Sequence, residues 1–351
     1  MVDSNSIWGG FKLNNLFTLK NRILMAPMTR ANASDDWVPT QAMADYYARR
    51  AEAGLIITEG TVISPDAIGH KNIPGIFSDS QIKHWRLVAD KVHHNNGLIF
   101  MQIWHVGRVS HPVFLGGKLP ISPSETVMTG RIFRSNGLTH GKSRAAAINE
   151  INEIISNYAT AAANAITAGF DGVELHGANG YLIDQFLHHH TNKREDAYGG
   201  SPENMARFAL EVIRACGESI GYERVGIRLS PGAYLHEVLG DERDFFVFRY
   251  LLEQLNKIKI AYVHTGNFND FQKFKELNDM TMSEFMRKYY QGNLIACGGY
   301  AFESALNGIN SDLFNLVAFG RPFIANPDLI DRLVNNKNLN QYDVDMLKTL
   351  Y

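Results

Sequence analysis

Cysteine is nearly missing from this chain of 351 residues, which contains only Cys216 and Cys297. So few thiols cannot build a disulfide framework, a CxxC zinc site or an iron–sulfur cluster with four cysteine ligands. Such low usage suits a reducing compartment, so we expect a cytoplasmic protein. The sequon at Asn32 is then interpreted as a chance match, because N-glycosylation requires a secretory context.

Long apolar runs and a strong net charge are missing as well. No run of about 18 apolar residues occurs that could cross a membrane, and residues 1–11 lack the pattern of a signal peptide. The formal net charge is −2 and the pI is about 6.7, so there is no basic field for nucleic acid or an anionic membrane. We expect neither partner. The 45% of hydrophobic residues and 20% of charged residues are typical of a soluble globular protein.

Eight short β-type runs alternate with helical stretches along the chain. Most of the runs are continuously apolar, which indicates strands covered on both faces. The predicted strands are 23–28, 55–59, 98–104, 173–176, 225–229, 261–265, 294–297 and 316–320. The predicted helices are 41–53, 81–95, 151–168, 202–220, 245–257, 281–290, 301–307 and 327–334. This alternation predicts a single α/β domain over residues 1–351, a (β/α)8 TIM barrel, because a closed parallel sheet has no exposed edge.

The alternative fold is an open doubly wound sheet, which would need a glycine fingerprint after an early strand, and none occurs. Two segments lie outside the alternation. Residues 8–19 have Gly and Asn pairs between apolar residues, which predicts an N-terminal hairpin that caps the bottom of the barrel. Residues 105–148 are too long for a simple loop and are rich in Gly, Pro and Ser, so we expect an excursion after strand three that covers the top.

Polar residues crowd the end of strand four. The strand runs directly into His176-Gly-Ala-Asn179-Gly-Tyr181. His176 and Asn179 are three residues apart, so both can direct donors at one oxygen while Tyr181 approaches from another side. Ligands of parallel α/β proteins bind at the carboxyl ends of strands. A site is therefore predicted at this end of the barrel.

Glycines and an arginine follow the last two strands, in Gly298-Gly299 and Gly320-Arg321. Glycines let backbone N–H groups approach a phosphate closely, and an arginine supplies a charged fork for its oxygens. Phosphate sites of barrels lie after strands seven and eight. Taken alone, these glycines could equally serve tight turns, and Arg321 could pair with a carboxylate.

The sequence resembles the old yellow enzyme family of FMN-dependent ene reductases. The resemblance extends to about residue 333 and is strongest in His176-Gly-Ala-Asn179-Gly-Tyr181-Leu, Gln185-Phe-Leu, Asn192, Arg194, Asp196, Tyr198-Gly-Gly-Ser and Glu203-Asn204. It implies a tightly but non-covalently bound FMN and oxidation of NADPH or NADH. An activated alkene, a quinone or a nitro compound would then be reduced in the same pocket, by ping-pong kinetics and hydride transfer from flavin N5.

The resemblance also implies roles for individual residues. The implied flavin contacts are Ala26, Pro27, Met28, Thr29, Gly60, Gln102 and Arg228, and the implied phosphate contacts are Gly298, Gly299, Gly320 and Arg321. His176 and Asn179 would bind the substrate oxygen, and Tyr181 would donate the proton. Trp104 lies two residues after Gln102 on the same side of the strand, so with His70 it would line the substrate pocket. Each residue alone also has a plainer reading, as a core amide, a buried ion pair or a helix cap.

Three features set this chain apart within the family. His70 stands where many members have a tyrosine, which could make ligand orientation pH-sensitive. The segment after Leu339 differs from the usual C-terminal one, so a pocket aromatic from there is in doubt. Strand one has Met25 and Thr29 without a cysteine, which is typical of the branch that lacks a thiol under the flavin.

Other readings remain possible on the residues alone. An aldolase-type barrel lyase would need a Schiff-base lysine at a strand end, and no predicted strand ends in Lys. The iron–sulfur dienoyl-CoA reductases need more cysteines and further domains, whereas a flavin storage or sensor protein is the non-enzymatic alternative. The triple 188–190 is interpreted as a loop with capping or solvated histidines and no metal. Both a monomer and a homodimer are compatible with the sequence.

Overall fold

Eight parallel strands close into a barrel in this computed structural model, which describes residues 5–132, 135 and 137–351. The strands are β1 (Ile23–Met25), β2 (Leu55–Ile57), β3 (Ile99–Trp104), β4 (Gly172–Gly177), β5 (Val225–Leu229), β6 (Tyr262–Thr265), β7 (Leu294–Ala296) and β8 (Leu316–Phe319). Each strand pairs with the next along the chain, and β8 pairs with β1. The predicted TIM barrel is confirmed.

Helices surround the barrel as the sequence predicts. They are α1 (Gln41–Ala48), α2 (Asp79–His94), α3 (Ile148–Thr167), α4 (Pro202–Ile220), α5 (Asp244–Ile258), α6 (Met282–Tyr289), α7 (Phe302–Asn310) and α8 (Leu329–Val334), with shorter helices at Asn5–Trp8, Leu182–Leu187 and Arg321–Ala325. Ser78 and Gln81 begin α2 with a capping box, in which each side chain accepts from the other residue's backbone N–H. No described helix has the length and apolar character that a membrane span needs.

Three predicted elements end two or more residues beyond the observed ones. Strand one ends at Met25, since Pro27 has no backbone N–H for the sheet. Strand two ends at Ile57, and the Glu59 carboxylate beyond it accepts from the backbone N–H groups of Arg30 and Ala31, both at 3.0 Å. Helix α1 ends at Ala48 because the Arg50 side chain donates to the Tyr46 carbonyl at 2.8 Å and terminates the last turn.

The barrel interior is filled by residues that alternate along the strands. Its apolar members include Leu24, Ala26, Leu55, Ile57, Phe100, Tyr262, Ile295, Leu316 and Ala318. Small residues make room for large ones: a Cβ atom on Gly226 would lie 2.4 Å from the Tyr262 ring. The N-terminal hairpin of Phe11–Lys12 and Thr18–Leu19 adds Phe17, whose ring centroid is 5.7 Å from that of Phe100. The hairpin therefore closes the amino-terminal end of the barrel, as predicted.

The predicted excursion after β3 is also present. It contains the short strands Ile121–Ser122, Thr126–Val127 and Lys142–Ala145, which form a small sheet of their own. The Glu237 carboxylate, in the loop after β5, accepts from the backbone N–H groups of Thr129 at 3.0 Å and Gly130 at 2.6 Å. This contact holds the excursion over the carboxyl ends of the strands.

His188 and His189 are buried and ion-paired, which corrects the expectation of solvated side chains there, whereas His190 is partly exposed and accepts from the backbone N–H of Leu239 at 3.2 Å. His188 lies between two carboxylates, with Nδ1 2.8 Å from Asp244 and Nε2 3.4 Å from Asp184. The Nδ1 atom of His189 is also 2.8 Å from Asp244. Burial alone would lower the pKa of His188, but Asp184 and Asp244 outweigh it and raise the pKa to about 10. A charged His188 therefore links the segment after β4 to the start of α5.

Replacing His188 by glutamine is expected to destabilise the fold in a pH-dependent way. The variant leaves two buried carboxylates without their cation, which costs about 3 kcal/mol of unfolding free energy. Because the folded-state pKa is raised from 6.5 to about 10, the stabilisation by His188 is complete below pH 6.5 and is lost as the pH rises through 10. Urea unfolding at pH 6, 8 and 10 measures this difference.

The exposed His94 at the end of α2 supplies the matched control, His94→Gln, which is expected to unfold like the parent protein at each pH. An equal loss for His188→Gln at pH 6 and pH 10 would contradict the charged state of His188.

Candidate active site

The interior of the barrel is polar on one side at its carboxyl end. Strands β3 to β6 carry the side chains that we call the polar layer: Gln102, Glu174, His176, Arg228 and His264. Strand pairing places Glu174 beside Gln102, His176 beside Arg228, and Arg228 beside His264. The remaining strands contribute aliphatic residues at these levels. Neighbouring strands therefore bring five polar side chains into one layer.

Glu174 is the centre of this layer and is fully buried. One carboxylate oxygen accepts from Gln102 Nε2 at 2.8 Å, and the other lies 2.8 Å from His264 Nδ1. Burial opposes ionisation of Glu174, but His264, Arg228 and the bond from Gln102 outweigh it and lower its pKa. Burial lowers the pKa of His264 although Glu174 opposes this. The layer thus holds an ionised Glu174, a neutral His264 and the cation of Arg228.

His176 also belongs to an aromatic cluster with Trp104 and Tyr181. The His176 ring centroid lies 5.8 Å from that of Trp104 and 4.8 Å from that of Tyr181, and the latter two are 4.7 Å apart. Burial, and then the charge of Arg228, lower the pKa of His176 well below its ordinary value. Its Nδ1 atom and Trp104 Nε1 are buried and make no hydrogen bond within the described part of the chain. A neutral imidazole with such a nitrogen can bind a ligand oxygen.

Asn179 is held by three neighbours in a left-handed conformation with φ of 64°. Its backbone N–H donates to Ser230 Oγ at 2.8 Å, and its carbonyl oxygen lies 2.6 Å from His236 Nδ1. The hydroxyl of Tyr234 donates to its side-chain oxygen. Because that oxygen is engaged, the amide nitrogen is left to donate elsewhere. Asn179 and His176 thus supply two donors at the end of β4.

Tyr181 lies beside a cavity of about 250 Å³. Its lining includes Thr29, His70, Trp104, Tyr181, Leu235 and His236, with Val109, Arg131, Ile132 and His140 from the excursion. Burial raises the pKa of Tyr181 well above its ordinary value, so the hydroxyl keeps its proton at neutral pH. The cavity therefore has a protonated phenol in its wall, together with three further residues predicted from the sequence: Thr29, His70 and Trp104.

The ends of β7, β8 and β1 form a glycine-rich edge. Gly298 and Gly299 have φ values of 147° and 75°, which side chains rarely adopt. The backbone N–H of Ala26 donates to the Phe319 carbonyl at 3.0 Å, which brings Pro27 and Met28 next to Gly320. Arg321 begins the following helix and is exposed. The structure thus brings the glycines and the arginine predicted to bind phosphate to one edge of the barrel.

Gly60 has a packing role in addition to any ligand contact. A Cβ atom there would lie 1.8 Å from the Trp104 ring. The position therefore requires glycine because of Trp104. The predicted flavin contact of Gly60 stays a prediction.

Sequence reasoning missed Glu174, His264, Tyr234, His236 and His140. A signal existed for Glu174, which is a charged residue two positions before His176 in an otherwise apolar strand. His264 is likewise a polar residue in an otherwise apolar strand, β6. Tyr234, His236 and His140 lie in the segments after β5 and β3, whose course no local pattern specifies. No group of three or more His, Cys, Asp or Glu in the described ranges is arranged to hold a metal ion.

Comparisons with known proteins agree with this arrangement. The sequence matches the model of the NADH:flavin oxidoreductase / NADH oxidase family over residues 7–340. The 12-oxophytodienoate reductase 7 of Oryza sativa is 41% identical over 354 residues, with 95% of this chain and 89% of the relative covered.

Two solved structures superpose closely on the barrel. The old yellow enzyme homologue from Zymomonas mobilis has a TM-score of 0.91 at 37% identity, covering 97% of this chain and 96% of that chain. Morphinone reductase in complex with tetrahydroNAD has a TM-score of 0.89 at 40% identity, covering 97% and 93%. The chain therefore belongs to the NADH:flavin oxidoreductase / NADH oxidase family, the FMN-dependent old yellow enzymes.

Proposed function

We propose that this protein is an ene reductase that oxidises NADPH or NADH and reduces α,β-unsaturated carbonyl compounds, nitroalkenes, quinones or nitro compounds. The observation that carries the proposal is the arrangement at the end of β4. A neutral His176 with a buried, unbonded nitrogen lies beside the protonated hydroxyl of Tyr181, at the wall of one cavity. The names of the rice relative and of morphinone reductase, both reductases, support this reading.

The residues present fit FMN. Gly298 and Gly299 have backbone conformations that favour glycine, and Arg321 adds a cation at the same edge, a combination that suits a phosphate. Gln102 offers an amide to the pyrimidine edge of the flavin, and Arg228 places a positive charge inside the barrel. When bound, FMN supplies the hydride chemistry, taking hydride from the nicotinamide and passing it to the substrate. Ala26, Pro27, Met28 and Thr29 at the end of β1 are proposed to line the ring.

His176 and Asn179 are proposed to donate hydrogen bonds to the carbonyl or nitro oxygen of the substrate. That oxygen gains negative charge as hydride reaches the β-carbon, and fixed donors stabilise the charge. The His176 imidazole is neutral and buried, and the Asn179 amide is oriented by Tyr234. Both donors are therefore preorganised before a ligand arrives.

Tyr181 is proposed to deliver the proton to the α-carbon. Its raised pKa keeps the phenol protonated until a carbanion-like centre forms beside it. A cavity of about 250 Å³ has room for one small ring at a time, which supports alternate binding of nicotinamide and substrate. Trp104 and His70, whose ring centroids are 6.1 Å apart, are proposed to shape its wall.

The proposed function predicts two separable half-reactions. Purified protein is expected to be yellow, to bleach when NADPH or NADH is added without oxygen, and to regain colour when 2-cyclohexenone is then added. Stopped-flow absorption at the flavin band measures both steps. A flavoprotein that neither nicotinamide reduces would favour the storage or sensor reading, and a colourless protein that refuses FMN would overturn the proposal.

Replacing Tyr181 by phenylalanine is expected to affect only the second half-reaction. Loss of a positioned proton donor slows alkene reduction by about 100-fold or more, whereas reduction of the flavin by nicotinamide keeps its rate. The same stopped-flow experiment measures both rates. Tyr250→Phe, on α5 outside the barrel, is the matched control; equal slowing of both half-reactions by Tyr181→Phe would remove the proton-donor role.

Replacing His176 by alanine is expected to weaken the binding of para-substituted phenols, which mimic the substrate oxyanion. A hydrogen bond to a charged ligand contributes about 1.5–3 kcal/mol, so the dissociation constant rises about 10-fold or more. Because burial lowers its pKa well below the ordinary value, His176 is neutral at neutral and alkaline pH, so its own titration does not change phenol binding between pH 7 and pH 9. Spectral titration across this range, with His94→Ala as the control, measures both effects. An unchanged dissociation constant contradicts the role of His176.

A further inference from the structure

We propose that Glu174 is a positioning residue for the flavin: it fixes the Gln102 amide and neutralises Arg228, and so controls both FMN affinity and the reduction potential of the bound flavin. The inference rests on the proposed function, because it requires FMN at the end of the barrel. It assigns a task to a buried carboxylate that the proposed chemistry does not otherwise use.

The first step concerns the direction in which the Gln102 amide points. An ionised carboxylate only accepts hydrogen bonds, so the group 2.8 Å from it must be the amide nitrogen of Gln102. The amide oxygen and the second N–H are consequently turned away from Glu174. That combination of one acceptor and one donor matches the imide edge of a flavin, which has an N–H beside carbonyl oxygens. Without a carboxylate at 174, either end of the amide could face the flavin.

The second step concerns how Glu174 itself is held. Its other oxygen is fixed by His264 Nδ1 at 2.8 Å, and Gln102, Glu174 and His264 are each at most 2% exposed. Strand pairing fixes the backbone positions, with Glu174 beside Gln102 and His264 beside Arg228. Neither partner can rotate into solvent. The orientation of Gln102 is therefore imposed by the barrel and does not depend on the ligand.

The third step concerns charge. In the polar layer, Glu174 is the one carboxylate and Arg228 the one guanidinium. Arg228 is 7% exposed, with Nε 3.2 Å from the Thr265 carbonyl and Nη2 3.6 Å from Cys297 Sγ. Electrostatic effects are strong in such a dry site. A reduced flavin is more anionic than an oxidised one, so the balance between these two groups sets how strongly the site prefers the reduced form.

Glu174→Gln tests both tasks at once. The neutral amide no longer fixes Gln102, so the dissociation constant of oxidised FMN is expected to rise about 10-fold, the loss of one good hydrogen-bond arrangement. Arg228 loses its counter-charge, so the reduced flavin is favoured and the midpoint potential becomes more positive. Fluorescence titration of apoprotein with FMN measures the first effect, and equilibration with a reference dye measures the second.

The Gln102→Leu background separates the two tasks. If Glu174 acts on affinity through Gln102, adding Glu174→Gln to Gln102→Leu weakens oxidised FMN no further, while the positive shift of the potential persists. If the losses of FMN affinity in Glu174→Gln and Gln102→Leu add up in the double variant and the midpoint potential does not change, Glu174 has only a structural role and the inference is overturned. Glu174→Asp keeps the carboxylate on a side chain that is one methylene shorter. It is therefore expected to weaken FMN binding with little change in the midpoint potential.

Glu174→Asp also keeps the test decisive if Glu174→Gln does not fold. Parent-like FMN affinity in the aspartate variant then overturns the inference, and weakened affinity at an unchanged potential supports it. The control is Glu125→Gln, which removes an exposed carboxylate of the excursion and is expected to leave both readouts unchanged. Failure of the parent protein to bind FMN would overturn the proposed function, whereas unchanged Glu174 variants of an FMN-binding parent overturn this inference alone.

Discussion

The register of β4 between β3 and β5 is the constraint on which the site depends. Parallel pairing sets Glu174 beside Gln102 and His176 beside Arg228, and a shift of β4 by one residue would turn Glu174 and His176 from the interior to the helices. The outward-facing residues Val173 and Leu175 are fully buried against the helical layer. Their burial therefore fixes which side chains of β4 point inward. The polar layer exists because an apolar face on the other side of the same strand holds it in place.

The donors at the end of β4 are supported from behind by the buried ion cluster. Asp184, which pairs with His188, also accepts from the Gly180 N–H at 2.7 Å and the Ser230 hydroxyl at 3.1 Å. Ser230 in turn accepts from the backbone N–H of Asn179. The charge of His188 is thus connected, through its ion pair with Asp184 and then through hydrogen bonds, to a residue proposed to bind substrate. The same buried ion cluster therefore stabilises the fold and helps to orient Asn179.

The barrel could be predicted from the sequence because its signal is repeated along the whole chain. Eight apolar runs with polar ends leave few other topologies, and the strand-end residues converge once the sheet closes. Glu174 and His264 could not be paired in this way, since their contact joins residues 90 positions apart on strands that are not neighbours. The wrong prediction for His188 and His189 has a similar cause. Nothing local shows that Asp244, on a helix far along the chain, supplies the counter-charge.

The C-terminal segment shows how a departure from the family pattern is accommodated. Arg30 donates to the carbonyls of Met346 at 2.9 Å and Thr349 at 2.6 Å, and Arg50 donates to those of Phe323 at 2.9 Å and Tyr351 at 2.6 Å. The segment therefore packs behind the end of β1, next to Thr29, and the lining residues of the cavity all precede residue 237. Its contribution is to stiffen the backbone that carries Thr29, while the excursion after β3 supplies the outer wall of the pocket. Arg131, Ile132 and His140 of the excursion line the cavity, and no described residue of the C-terminal segment does.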